Sequence, residues 1–366
     1  MNVSGVTAWA RSLDLPLLAG ILALCGVSMA LVYSASGQDP ALLARQGTRI
    51  GVALLVMLVM ARVPPRVLHR WSPWVYGAGL ALLALVLLAG ITGKGAQRWL
   101  ELGQLRFQPA EVMKIALPMM VAWMLSQRPL PPHAWQLLLA LLVVFVPAWL
   151  VIEQPDLGTA ILIALSGVTV VFLAGIRWRW ILLLLAVVTA AAPMLWWFVL
   201  LDYQKQRIVT AFDPWADPLG TGYHIIQSII AIGSGGLLGK GWLNGSQSQL
   251  EFIPERSTDF IFAVLAEEFG LLGVLGFFAL SFFVVLRGLW IAFIARDTYS
   301  RLLAGCFSLT VFFYFFVNVG MVSGILPVVG MPLPLVSFGG SSMVTLMLGF
   351  GIIMSIQAHR DLLRQK

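Results

Sequence analysis

The chain alternates long apolar runs with short polar connections. Ten runs fall near residues 15–35, 47–61, 74–91, 112–125, 135–152, 157–176, 180–201, 260–286, 302–325 and 341–356. A helix needs about 20 apolar residues to cross a bilayer, so this pattern predicts transmembrane helices. The second and fourth runs are short. Extending each into its polar N-terminal flank brings Arg49 or Glu111 to the membrane edge, where snorkelling or a water-filled cleft tolerates a charge. The expectation is an all-α polytopic membrane protein, a single domain over residues 1–366 with about ten transmembrane helices and both termini on one side.

Composition supports that class: 60% of residues are hydrophobic and 11% charged, outside the range of soluble domains. The first run is long enough to be a retained span and not a cleaved signal. A net charge of +7 raises the question of nucleic acid, but the basic residues are scattered singly along the edges of apolar runs, as positive-inside topology requires. With both termini cytoplasmic, the inside loops are basic apart from Asp14, Asp297 and Asp361. Cys25 and Cys306 lie inside apolar runs as small apolar residues, and the four histidines are too dispersed for a metal cluster.

The outside connections are the informative ones. The longest, 202–258 between spans seven and eight, exceeds an ordinary connector, and its apolar part near 223–233 suits a short helix on the membrane surface. The last, 324–342, carries no charge and is rich in Gly, Pro and Ser; such backbone persists at membrane depth only if protein buries it or water reaches it. The run 233–241 has the composition of a phosphate loop. However, Ser234 and Gly241 stand where Gly and Ser or Thr are needed, and no strand precedes it, so nucleotide binding is rejected.

Candidate chemistry gathers at 255–268, which holds Glu255, Asp259, Glu267 and Glu268. Intramembrane carboxylates are costly and mark functional sites. Asp259 could simply cap the eighth span, but Ser257 and Thr258 already offer caps. On a continuous helix Ala263, Ala266, Gly270 and Gly273 would fall within about 40° of it, a stripe for close packing. Glu267 and Glu268 read as structural partners. Glu111 and Lys114, spaced i, i+3, can meet on one face as a self-neutralising pair or as a substrate contact. Asp156 follows Gln-Pro as a cap or a site residue. Arg98, Arg106, Lys205, Arg207, Lys240 and Arg256 are anchors for headgroups individually, and together suit an anionic lipid, particularly a diphosphate.

These residues sit in motifs that resemble the SEDS family (shape, elongation, division and sporulation) of bacterial peptidoglycan glycosyltransferases. The motifs are Arg98-Trp99, Phe-Gln-Pro-Ala-Glu111-Val-Met-Lys114, Gln-Pro-Asp156-Leu-Gly-Thr, Tyr-Gln-Lys-Gln-Arg207 and Tyr223-His-Ile-Ile-Gln-Ser. Glu255-Arg-Ser-Thr-Asp259 through Glu268, the stretch from Asn318, and Ser337-Phe-Gly-Gly-Ser-Ser continue them in family order. The Ala-Glu-Glu after Asp259 is closest to the rod-shape-determining (RodA) branch, while Ser257 stands where many members have histidine.

The resemblance implies polymerisation of lipid II by an inverting displacement at the outer face of the bacterial cytoplasmic membrane. Asp259 would be the general base, with Glu111 and Lys114 orienting the acceptor. Arg98, Arg207 and a divalent cation (magnesium or manganese) would offset the leaving diphosphate. The wider set of implied substrate contacts is Arg106, Asp156, Lys205, His224, Gln227, Lys240, Ser341 and Ser342. No organic cofactor is expected. Implied partners are a class B penicillin-binding protein transpeptidase, other elongation-complex membrane proteins and membrane lipids, without nucleic acid. A lipid II flippase, or a scaffold that activates the transpeptidase, are the alternatives.

Overall fold

The computed structural model describes residues 13–93, 96–102, 105–198, 200, 202–220 and 222–362. Ten long helices follow the ten apolar runs: α1 (Leu15–Ala35), α2 (Pro40–Met60), α3 (Pro65–Ala89), α4 (Pro109–Ser126), α5 (Ala134–Ile152), α6 (Leu157–Leu173), α7 (Trp178–Phe198), α11 (Ile261–Ile294), α12 (Thr298–Val322) and α13 (Ser341–Leu362). Seven of them, α1, α2, α3, α5, α11, α12 and α13, are long and apolar enough to cross a membrane among the described residues, and α6 is a shorter apolar helix. The connection between α7 and α11 folds as α8 (Asp202–Phe212), a 3-10 turn (Pro214–Ala216), α9 (Tyr223–Ser234) and α10 (Ser246–Gln249). The fold is a multi-pass helical bundle.

Several helices begin earlier than the apolar runs do. Proline at the first turn of α2, α3 and α4 presets the helical φ, and Asp39 accepts a hydrogen bond from the Ala41 amide to close the start of α2. Arg49 and Glu111 therefore lie within helices. One departure from an all-helical reading is a small antiparallel sheet between α3 and α4: β1 (Ile91–Gly93), β2 (Ala96–Leu102) and β3 (Leu105–Phe107), in the order β1-β2-β3. It adds a lid-like ribbon to the bundle, which remains the fold.

The core is built by α11 against α12 and α1, α13 against α2, α3 against α4, and α6 against α4, α5 and α12. Arg287 on α11 grips Asp14, the cap of α1, with contacts of 2.8–3.2 Å. Among the described residues α7 stands apart from these helix pairs and exposes Leu182, Val187, Met194 and Trp197.

The 34 residues of α11 would extend about 51 Å as one straight helix, against a hydrocarbon core of about 30 Å. It breaks at Gly270 (φ 62°, ψ −163°). The expected small-residue stripe from Asp259 through Gly273 is thus not one face: Asp259 precedes the helix in a turn, and the break re-aims everything after Gly270.

What repairs the break is the glycine-rich run rejected as a phosphate loop. The amides of Lys240 and Gly241 donate to the carbonyls of Glu267 and Glu268, and the amides of Leu271 and Leu272 donate to Gly236 and Leu237, all at 3.0–3.1 Å. The approach requires bare backbone. A Cβ on Gly239 would lie 2.1 Å from the Glu268 carbonyl oxygen, and one on Gly270 would lie 2.3 Å from the Gly239 nitrogen.

Glu267 and Glu268 serve this junction. Glu267 is fully buried and accepts from Lys240 Nζ (2.7 Å), Ser246 Oγ (3.2 Å) and the amides of Gln247 and Ser248 (2.9 and 3.2 Å). Glu268 accepts from the Ser34 hydroxyl on α1. The second half of the charge-free segment between α12 and α13 is likewise enclosed, with Met331, Leu333, Leu335, Val336 and Ser337 all buried, whereas Ile325 in its first half is exposed.

Gly270→Ala should lower stability by about 3 kcal/mol, through strain at positive φ and the clash with Gly239. Gly276→Ala, in open space six residues on, should be neutral or raise stability slightly. Thermal unfolding of the two variants in detergent checks the contrast.

Candidate active site

A cavity of about 1070 Å³ opens at one end of the bundle, where the starts of α4, α6, α11 and α13 meet the sheet and the α12–α13 segment. It brings together eight of the sequence candidates: Asp259, Glu111, Lys114, Arg98, Asp156, Arg207, Ser341 and Ser342. Three helix N-termini, of α4, α6 and α13, point their positive dipole ends toward this space, an arrangement that favours an anion.

Asp259 is half-buried in the turn before α11, and backbone contacts hold it from two sides. Asn318 on α12, fully buried, donates from one amide group to the carbonyls of Asp259 (2.9 Å) and Met331 (2.6 Å). Next door, Ser337 donates to the Thr258 carbonyl, and the Phe338 amide donates to Ser257 at 2.8 Å. The Asp259 carboxylate lies beside Gly330, where a Cβ would come within 3.5 Å of its Oδ2.

Glu111 and Lys114 form a buried pair at 2.7 Å, with the ammonium 5.6 Å from the centre of the Tyr314 ring. Only Oε1 of Glu111 is used. Its Oε2 is buried and has no partner among the described residues, so one strong acceptor is left over beside the cavity. Asp156 does cap α6, accepting from the Thr159 amide at 3.2 Å, and it also faces Arg98 Nε at 3.5 Å and Gln108 Nε2 at 3.3 Å. Arg98 also donates to the Pro155 carbonyl, which fixes its guanidinium at the rim.

The other candidates lie elsewhere. Lys240 is held by Glu267 in the α11 junction, Lys205 pairs with exposed Asp202 at 3.7 Å, and His224 and Gln227 sit on α9 outside the cavity lining. Arg106 pairs with Glu101 in the strand register; its side chain lies outside what is described. Among the described residues no three acids, histidines or cysteines converge as a metal-binding group, and Glu111 and Asp156 are already engaged by Lys114 and Arg98.

Sequence reasoning passed over Gln108, Gln204, Tyr314 and Asn318 as site residues. Tyr314 and Asn318 had a usable signal, polar groups inside the apolar run 302–325. An apolar groove of about 680 Å³ adjoins the cavity and shares Gln108, Glu111 and Ser341 with it. It continues between α2, α3, α4 and α13 along Val52, Val75, Ile115, Met119 and Leu348.

The family model FTSW_RODA_SPOVE, described as cell cycle protein, matches residues 8–362. The chain belongs to this family. Its similarity to family members extends over nearly the full length. It is 54% identical over 363 residues to the peptidoglycan glycosyltransferase MrdB of Escherichia coli (strain K12), covering 99% of this chain and 98% of that one. Among solved structures it resembles a chain from a peptidoglycan synthase complex described as coordinating polymerization and crosslinking (TM-score 0.83, 35% identity, 95% of this chain and 98% of that one). It also resembles the rod shape determining protein RodA of Thermus thermophilus (TM-score 0.72, 31% identity, 95% and 97%).

Two outcomes follow from this geometry. Lys114→Met alone should cost about 3 kcal/mol, because it strands a buried carboxylate, while adding Glu111→Gln should recover most of that stability. A thermal-unfolding cycle measures both terms. His224 is pushed below its ordinary value by burial, which nearby Glu255 partly opposes. Its Nδ1 is buried without a partner among the described residues, and its ring stacks on Phe260 at 5.8 Å. A lowered histidine holds its full stabilising contribution above about pH 6.5 and loses it as pH falls through the folded value. The protection factors of α9 amides, with exchange corrected for its intrinsic rate at each pH, should therefore fall from pH 7.5 to 5.5, and His224→Gln should abolish that difference.

Proposed function

We infer that the protein is a peptidoglycan glycosyltransferase of bacterial cell elongation that polymerises lipid II into β-1,4 glycan strands. Full-length identity of 54% to an enzyme of that name is the observation that carries the reading. The cavity supplies a chemical basis. An α-linked sugar diphosphate becomes a β-1,4 bond by one in-line displacement, in which the acceptor 4-hydroxyl oxygen attacks C1 and the bond from C1 to the diphosphate oxygen breaks. One base suffices to take the hydroxyl proton.

Asp259 is assigned that role. It is a half-buried residue at the mouth of the cavity, its backbone carbonyl held by Asn318. Glu111 Oε2, the left-over acceptor, would receive a second hydroxyl of the acceptor sugar, with Lys114 holding Glu111 in place. Arg98, Arg207 and the N-terminus of α13 at Ser341 and Ser342 would take the charge of the departing undecaprenyl diphosphate. The adjoining groove gives its apolar chain a place to lie.

The ten long helices are read as ten spans with both termini cytoplasmic in the inner membrane. This puts the arginine-rich ends inside and the cavity at the outer face. A class B penicillin-binding protein is the proposed partner, a reading supported by the similarity to a synthase complex that couples polymerization to crosslinking. Transport of lipid II is the weaker reading. Carrying a diphosphate along the bundle needs polar groups throughout, whereas the groove that runs there is lined by Val52, Met60, Val67, Trp71 and Ile352.

The test is polymerisation of labelled lipid II in nanodiscs, with and without the transpeptidase. Asp259→Asn should retain the wild-type unfolding temperature and lose at least about 100-fold in rate. Undiminished polymer from that variant would remove Asp259 as the base.

A further inference from the structure

At the end of the bundle opposite Asp259 a second cavity, of about 1060 Å³, opens between the start of α3, the end of α4, the α11–α12 turn and the last turns of α13. Three arginines from three of these elements line it: Arg66, Arg296 and Arg360. None is paired with an acid or a carbonyl among the described residues. His69 and His359 flank them. Among the described residues the one acid in the wall, Asp297, is occupied in capping α12, accepting from the Ser300 amide at 2.8 Å.

Positive-inside topology accounts for arginines at this end, but it would leave them spread along the edges of the helices. Two features here go further. The Ser300 hydroxyl is buried, with 1% of the residue exposed, and has no partner among the described residues although it borders the cavity. A buried hydroxyl without a protein partner is left for a water or a ligand to satisfy. In addition, α3 starts at the cavity with Pro64 as its cap and no side-chain hydrogen bond; Pro64 and Pro65 carry no N–H and the Val67 amide donates to Pro64, so the Arg66 amide and the helix dipole are what this start offers an anion.

Forked guanidinium groups, a hydroxyl and an uncapped helix start are together complementary to the tetrahedral oxygens of a phosphate. We propose that this cleft is a second, phosphate-binding site, distinct from the catalytic cavity. Its place points to the source. Val67 and Leu68, one and two residues beyond Arg66, and Ile352, one turn before Ile356, belong to the apolar groove. A phosphodiester in the cleft can thus keep its acyl chains on apolar helix surface, so an anionic lipid of the leaflet at that end, cytoplasmic in the orientation proposed above, is the first ligand to test.

The experiment titrates purified full-length protein in detergent with dihexanoyl phosphatidylglycerol, dihexanoyl phosphatidylcholine and inorganic phosphate, read by native mass spectrometry. Wild type should prefer phosphatidylglycerol to phosphatidylcholine, and Arg66→Gln/Arg296→Gln/Arg360→Gln should weaken phosphatidylglycerol at least about 30-fold. Ser300→Ala, a minimal change that leaves the arginines, should weaken it about fivefold at an unchanged unfolding temperature. Lipid II polymerisation in neutral nanodiscs should stay within about twofold of wild type in both variants, since neither touches the catalytic cavity. Inorganic phosphate that competes with the same arginine dependence would support the site and make free phosphate its source. Equal phosphatidylglycerol affinity in wild type and triple variant would overturn the proposal.

Discussion

In a bilayer every peptide group must find its partner within the protein, and this requirement explains the least regular parts of the molecule. Helices satisfy it by themselves along their regular stretches. At two places where the chain abandons the helix, Gly270 and the segment after Val322, other elements are drawn in to supply donors and acceptors. Asn318, Ser28 and Gln46 bond the carbonyls of that segment, at Met331, Val336 and Ser337. Asn318 also bonds the Asp259 carbonyl, and Ser337 and Phe338 of the same segment bond Thr258 and Ser257, so the segment holds the turn that carries Asp259. Solvating an irregular backbone and positioning a candidate base are therefore one structural task.

A second division organises the site. Charge in the cavity is neutralised in pairs, Lys114 with Glu111 and Arg98 with Asp156, so the polar chamber can be built against apolar helices without isolated buried ions. The chamber then leaves over a few groups that a substrate can use, chiefly the second Glu111 oxygen and the ends of three helices. The adjoining groove has the opposite character. A molecule with a charged, sugar-bearing head and a long hydrocarbon tail meets a polar and an apolar compartment in the order of its own two halves.

How much of this was legible in the sequence follows from the range of the interactions. The ten helices were readable because hydropathy is local; the early starts of α2 and α4 were met by extending their short runs, while that of α3 at Pro65 lies in a polar flank that hydropathy does not mark. Glu111 with Lys114, three residues apart, and Asp156 beside its helix could be found for the same reason. The meeting of Arg98 with Asp156, or of Asn318 with Asp259, joins residues 58 or 59 positions apart and leaves no periodic trace. Lys240 looked like one more outward cation because its charge was visible and its partner, Glu267, was not. The stripe drawn through Gly270 failed because helical geometry was extended across a residue whose role is to end it.

That glycine and the run at 236–241 bear on how sequence motifs should be understood. A loop that cradles a phosphate and a loop that cradles a broken helix offer the same commodity, peptide amides unobstructed by side chains and aimed at oxygen atoms. Here the oxygens are the carbonyls of Glu267 and Glu268, left over when the helix stops. The composition that suggested nucleotide binding was thus a true signal of recognition with a different addressee. The interrupted helix is, in effect, the loop's ligand, carried in the same chain.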